Sequence, residues 1–237
     1  MKLKEFLSVR GIGFESINIL ENAAGRAELA RLGARSLPVL SRGDEFTFAQ
    51  NLAQVVEFLR LDEQAGPVLS PAQLVERQLK FVDAALAIVK LMPDDKLDTE
   101  VPNRPRRYRA LAHHAFRIQE AFVETANGAF FSAALPVAVP QPEDMASTGA
   151  LCAYGRRVRA QLAQWWEGRA DKSCGEIVQT YYGPQRLHEV QERSTWHTAQ
   201  HCRQWMMLLE MQGIPFERPL CDADLADLPM PRQVWDG

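Results

Sequence analysis

The chain has 237 residues, 46% of them hydrophobic and 24% charged, a balance that supports a buried core in a length beyond the roughly 100–150 residues usual for one domain. Its formal net charge of -3 supplies no general attraction to nucleic acid or to an anionic membrane surface. It holds no run of about 18 apolar residues that could span a bilayer, and the opening Met1-Lys2-Leu3-Lys4-Glu5-Phe6 lacks the apolar stretch of a signal peptide. Its four cysteines, Cys152, Cys174, Cys202 and Cys221, form no C-x-x-C pair. These features predict a cytoplasmic protein with reduced thiols, and with neither nucleic acid nor membrane among its partners.

The first sixty residues alternate short helical and strand-like stretches, the pattern of a small α/β unit. Gly11 to Gly13 punctuates a first helix, Phe14, Ile17 and Ile19 make a strand-like run, and Gly33 ends a second helix. Pro38, Val39 and Leu40 make another strand-like run, Arg42-Gly43-Asp44 is a hairpin turn before Phe46 to Phe48, and a third helix follows at about 49–61. Ala65-Gly66-Pro67 then breaks the pattern, which divides the chain into 1–64 and 65–237. Ser70 as N-cap and Pro71 at the first helical position open the second part. Long helices are predicted there at about 71–92, 105–126, 147–167 and 187–212, enough for a bundle. The proline-rich stretch 135–142 reads as an extended crossover. Arg104, Arg106, Arg107 and Arg109 read as a solvated helix start, because neither interleaved aromatics nor a nucleic-acid motif accompanies them.

Glu5-Phe6-Leu7-Ser8-Val9-Arg10-Gly11-Ile12-Gly13-Phe14-Glu15-Ser16-Ile17-Asn18 and Gly33-Ala34-Arg35-Ser36-Leu37-Pro38-Val39-Leu40 resemble the glutaredoxin family over about residues 3–60. The resemblance implies a truncated thioredoxin-fold fragment, in which Leu37 and Pro38 would hold the thiol ligand's peptide and Pro38 would be cis. The chain departs from the family in two ways. It lacks the first strand and the redox dithiol, and no cysteine precedes Cys152, so disulfide exchange by this segment has no attacking thiolate. Phe46 to Gln50 also lacks the glycine and acidic residues that hold the ligand's charged end. A docking or homodimer-forming role is the expectation, with retained glutathione binding as the alternative.

His197 and His201 form an H-x-x-x-H pair whose i, i+4 spacing stacks both imidazoles on one helical face. Leu187, Val190, Ser194, Trp205 and Leu208 share that face, so both rings should point inward. Buried imidazoles need partners, and neutral imidazole is the commonest metal ligand. A third ligand should come from His113-His114. Leu111, Ala115, Ile118 and Phe122 form the apolar stripe of that helix, with His114 on its border and His113 on the polar side with Glu120 and Glu124. Periodicity therefore selects His114, which could otherwise be an edge histidine bonded to a neighbouring helix. His188 falls off the core face and should be solvated. Trp165, Trp166, Trp196 and Trp205 read as core, Cys202 as a core thiol, and Tyr181 and Tyr182 as either turn packing or a pocket mouth.

The words Thr180-Tyr181-Tyr182-Gly183-Pro184-Gln185-Arg186-Leu187-His188-Glu189-Val190, the H-x-x-x-H and Leu208-Leu209-Glu210-Met211-Gln212-Gly213-Ile214 are similar to the last helix of the DinB-like, or YfiT-like, metalloenzyme family. The similarity covers about residues 70–215. It implies a mainly α fold, a DinB-like four-helix bundle behind the small α/β glutaredoxin-like segment, with zinc or nickel on His114, His197 and His201. Three protein ligands leave an open coordination position, the arrangement of a catalytic site. Such a metal can hold a thiolate or activate water. The expected function is a metal-dependent thiol S-transferase or thiol-dependent detoxification enzyme, acting on a small-molecule thiol such as glutathione and an electrophile. The alternatives are a hydrolase using bound hydroxide, with Glu120, Glu124 or Glu189 as candidate base, or a non-catalytic metal-binding stress-response module.

Overall fold

A computed structural model of the chain describes residues 2–9, 12–50, 52–61, 66–102, 104, 106–132, 143–231 and 233–235. The described residues are mainly helical, with two small two-stranded antiparallel sheets. They divide into two compact units, Met1–Gly66 and Pro67–Gly237. Among the described residues no helix is long and apolar enough to cross a membrane.

The first unit contains helices α1 (Lys2–Val9), α2 (Ala23–Arg31) and α3 (Leu52–Leu59) and strands β1 (Val39–Arg42) and β2 (Glu45–Phe48). Arg42 pairs with Glu45 across a two-residue turn, in which Gly43 takes φ +63°, the left-handed region such tight hairpins demand of their first turn residue. Leu3, Phe6 and Leu7 of α1 pack with Ala49 and with Val55 and Val56 of α3. The strand expected at Phe14 to Ile19 does not form. Residues 12–18 are irregular, because a strand needs a neighbour for its backbone N–H and C=O groups and, among the described residues, β1 pairs only with β2. Leu7, Phe14, Ile17, Leu29, Val39 and Phe58 instead help line a cavity of about 590 Å³. The third helix begins at Leu52, later than the expected 49, because Ala49 closes the hairpin with its N–H on the Pro38 carbonyl at 2.8 Å.

The second unit is built on four long helices: α4 (Pro71–Val89), α5 (Tyr108–Ala126), α6 (Thr148–Gly168) and α7 (Leu187–Met211), with a short α8 (Asp222–Leu225). Ser70 caps α4, its hydroxyl accepting from the Gln73 N–H while the Gln73 side chain accepts from the Ser70 N–H at 2.9 Å, a reciprocal box that satisfies two orphan donors. The four helices pack on one another: α4 against α7 and α6, and α5 against α7 and α6. Fourteen of the 19 residues of α5 are buried as a result. Helices α5 and α6 meet at Gly155, where a Cβ would come within 2.7 Å of the Phe116 ring.

An element absent from the sequence reading precedes α7. Strands β3 (Ile177–Thr180) and β4 (Gly183–Arg186) form a hairpin with Tyr181-Tyr182 at its turn. Phe131 joins it, donating to the Gln179 carbonyl at 3.0 Å and accepting from the Tyr181 N–H at 2.9 Å. The four-residue strands are too short to show alternation, and Pro184 argues against a strand locally. The stretch 135–142, expected to be a crossover, lies outside the described residues.

Candidate metal centre

Helix α7 carries His197 and His201 one turn apart, and α5 carries His114. A buried hydrogen-bond chain sets the two helices in register. Gln191 donates to Gln78 at 3.0 Å, Gln78 to Gln119 at 2.7 Å, Gln119 to Thr198 at 2.9 Å, and Thr198 to the Ala115 carbonyl at 3.2 Å. Its last link joins the neighbours in sequence of His197 and His114. An amide in a dry core must find partners, so the chain disfavours any register in which these groups part.

In that register the three rings converge. The ring centroids of His114 lie 5.4 Å from those of His197 and 4.7 Å from those of His201, and His197 and His201 are 4.8 Å apart. One ligand atom from each lies within 4.8 Å of the others, close enough to bind one metal ion. Among the described residues, neither a carboxylate nor a thiol belongs to the group.

The electrostatics keep His197 and His201 neutral. Burial pushes His197 well below the usual imidazole range, reinforced by His201, Arg193, His114 and Arg106. His201 is pushed down to about 4, by burial first, with the Gln204 hydrogen bond opposing and the Arg106 charge adding. The nearby positive charges, Arg106 and Arg193, make the surroundings favourable for an anion. Arg193 also lies over the rings of Phe131 and Tyr182, at 5.6 and 5.5 Å.

A divalent ion fits this donor set. His197 Nδ1 and His201 Nε2 are shielded from solvent and have no hydrogen-bond partner among the described residues, an expensive condition for a buried polar atom that lacks a ligand. His201 Nδ1 is 2.7 Å from Gln204 Oε1, which leaves Nε2 as its lone-pair donor.

Several expectations need correcting. His113 is not on a solvated face: α6 covers it, and its ring stacks on Tyr154 at 5.1 Å. It stays outside the group formed by His114. Helix α6 also turns the polar side of α5 into a network, with the Tyr154 hydroxyl donating to Glu120 at 2.6 Å and Arg117 held to Glu120 at 3.1 Å and Glu124 at 2.7 Å. Glu189 accepts from the Arg186 N–H at 3.1 Å as an N-terminal cap of α7. All three candidate bases are thus engaged elsewhere. His188 is not simply solvated, since its Nε2 lies 2.8 Å from the Leu69 carbonyl. Within the arginine cluster, Arg107 and Arg109 both pair with Asp98.

Trp165 and Trp205 are core residues as expected, and Trp196 packs against the core half-buried. Cys202 is a core thiol that donates to the Phe81 carbonyl at 3.4 Å, its pKa pushed up to about 12 by burial. Tyr182 is buried in the hairpin, at 4.8 Å from the Tyr181 ring. In the first unit Leu37 is exposed and lines the cavity, its peptide bond to Pro38 is cis, and its carbonyl accepts from the Gln50 side-chain amide.

Sequence reading missed Gln204 and Gln119, and it assigned Arg106, whose charge acts on His197 and His201, to a solvated helix start. Glutamines interrupting apolar stripes, at 78, 119 and 191, were the available signal for the core network, and a polar residue three positions after His201 was the signal for Gln204. Arg106 carried no such signal. No protein-family model, no curated protein and no solved structure matches this chain.

Proposed function

We propose that the chain binds one divalent metal ion, zinc or nickel, through His114, His197 and His201, and uses it as a thiol S-transferase or thiol-dependent detoxification enzyme. The observation that carries this reading is the convergence of three imidazoles, His114 and His201 buried and His197 half-buried, in a group that includes no carboxylate or thiol among the described residues. Three nitrogen ligands leave a coordination position open. A divalent ion bound there lowers the pKa of a coordinated thiol and holds it as a thiolate.

The chain's own residues would do the rest. His114, His197 and His201 supply lone pairs without negative charge, so the positive charge stays available to an anionic ligand. Arg106 and Arg193 add to that potential. Helices α5 and α7 hold the ligands in register through Gln119 and Thr198. The packing of α4 to α7 is compatible with a DinB-like four-helix bundle, and the β1–β2 hairpin with a glutaredoxin-like fragment. Together they support glutathione or a related thiol as cosubstrate, a small electrophile as its partner, and a reducing, cytoplasmic setting. Hydrolysis is the weaker reading, because Glu120, Glu124 and Glu189 are each engaged in other contacts.

The test is spectroscopic. The cobalt- or nickel-loaded protein should show a sulfur-to-metal charge-transfer band on addition of glutathione, tightening as pH rises because coordination releases a proton. Failure of every physiological thiol to perturb the spectrum, with an ester or amide cleaved without thiol, would hand the site to a hydrolase. If neither reaches the ion, a non-catalytic metal-binding module replaces both enzymes.

A further inference from the structure

The orientation of His201 is set from far along the chain. Gln204 sits between His201 and the segment carrying Gln233 and Val234: its Oε1 is 2.7 Å from His201 Nδ1, and its Nε2 donates to the Val234 carbonyl at 3.1 Å. A backbone carbonyl can only accept, so the amide nitrogen of Gln204 must face Val234 and its oxygen must face the imidazole. That oxygen can only accept in turn. His201 Nδ1 therefore carries the proton, and Nε2, buried and without a hydrogen-bond partner among the described residues, keeps its lone pair. The identity of one main-chain group thus dictates the tautomer of a ligand histidine some thirty positions earlier.

The segment is held at several points. Gln200 Nε2 donates to the Gln233 and Val234 carbonyls at 3.1 and 2.6 Å. Arg203 donates to Gln200 Oε1 at 2.9 Å and to the Pro231 carbonyl at 2.7 Å. Trp235 packs against the core and lies under the Arg104 guanidinium at 5.6 Å. Gln200, Arg203 and Gln204 all belong to the ligand helix α7, so the segment is tied to the same turn that presents His201.

We propose that this segment is a strap that sets the metal affinity of the histidine site through Gln204, which acts as a positioning residue for His201. The inference rests on the metal-binding reading above, but its tautomer component does not need a metal. With the strap seated, His201 offers its Nε2 lone pair in a fixed ring orientation. With the strap released, Gln204 loses the partner that aims its oxygen, and the Nε2–H tautomer, which cannot ligate through that atom, becomes accessible. Because coupling is reciprocal, a bound ion must stabilise the seated strap by the same factor that seating raises affinity.

The experiment uses the full chain and zinc as probe. Gln204→Leu should lower zinc affinity by about 10- to 100-fold, the range typical of lost ligand-orienting partners, with its thermal unfolding followed as a control for folding. Gln204→Glu, which can still accept from Nδ1–H, should stay close to the parent affinity. Nitrogen NMR of the metal-free protein should find His201 as the Nδ1–H tautomer, with Nε2–H appearing in Gln204→Leu. Zinc should slow amide exchange at Gln233 and Val234 in the parent protein and not in Gln204→Leu. Parent-like zinc affinity in a folded Gln204→Leu variant, or an Nε2–H tautomer in the parent, overturns the positioning role. Exchange at 233 and 234 that is indifferent to zinc overturns the strap. A parent protein that takes no zinc yet shows the stated tautomer and its shift in Gln204→Leu upholds the relay and overturns the metal reading instead.

Discussion

The two units use their residues differently. The first packs short helices and a hairpin around a small core of Leu3, Phe6, Leu7, Ala49, Val55 and Val56, and leaves a cavity of about 590 Å³ beside it. The second packs four helices of 19 to 25 residues and threads buried polar chains through a much larger core. Long helices give each side chain neighbours on several elements. Positions can then be specified by hydrogen bonding as well as by apolar contact, which is what a ligand constellation needs.

The largest expected difference lies in metal binding. The second unit should hold about one divalent ion per chain, and His197→Ala or His201→Ala should abolish stoichiometric occupancy in elemental analysis, whereas His113→Ala should retain it. Retained occupancy in both of the first two variants would remove the contrast between the units.

Core truncation separates the two packings next. Leu74 and Leu7 are both buried, at 0% and 1% exposure, yet Leu7 lines the existing cavity. Leu74→Ala opens a new void in a dense core and should cost about 4 kcal/mol, while Leu7→Ala mostly forfeits its transfer term, about 2 kcal/mol. Denaturant titrations read by tryptophan fluorescence follow the second unit, which holds all five tryptophans. Amide exchange follows the first. Equal costs would mean that the cavity is not relieving Leu7.

Acid should act on the second unit. His201 has a folded pKa of about 4 against an ordinary 6.5, so the unfolded chain binds its proton first as pH falls. The stability this group contributes is complete above about pH 6.5, is lost between there and pH 4, and amounts to roughly 3 kcal/mol in the metal-free protein. His197 shifts in the same direction. The first unit contains no histidine and lacks this contribution. Tryptophan-monitored stability that stays flat over this range would contradict the buried neutral imidazoles.

Replacing Gln119 tests the polar chain itself. Gln119→Leu takes the acceptor from the buried Gln78 amide N–H and the donor from the Thr198 hydroxyl, and should cost about 2 kcal/mol, on the scale of an unsatisfied buried group. A loss below about 0.5 kcal/mol would show that the network is not specifying register. The smallest effect is a null one. With no cysteine before Cys152, the first unit should show no glutathione-linked disulfide reduction above background, and turnover surviving replacement of all four cysteines would contradict that.

What the sequence by itself determined is local. Ser70-Pro71 starts a helix because a capping hydroxyl and a fixed φ act within one turn. Gly43 permits a tight hairpin because of its own backbone freedom, and His197 and His201 share a face because helical geometry relates i to i+4. Even the choice of His114 over His113 was available from the apolar stripe of α5, and the structure brings His114 to the other two. What only the tertiary structure decided depends on elements distant in sequence. Whether His113 meets solvent or Tyr154 is settled by α6, and whether Glu120 is a free base or a partner of Arg117 and Tyr154 by the same packing. Whether the run Phe14 to Ile19 becomes a strand depends on a neighbour for its ladder. Which nitrogen of His201 carries the proton is decided by a carbonyl at position 234. Periodicity records which side of an element is apolar, but a polar side chain acquires its role from the partner that desolvates it, and that partner is chosen by the fold.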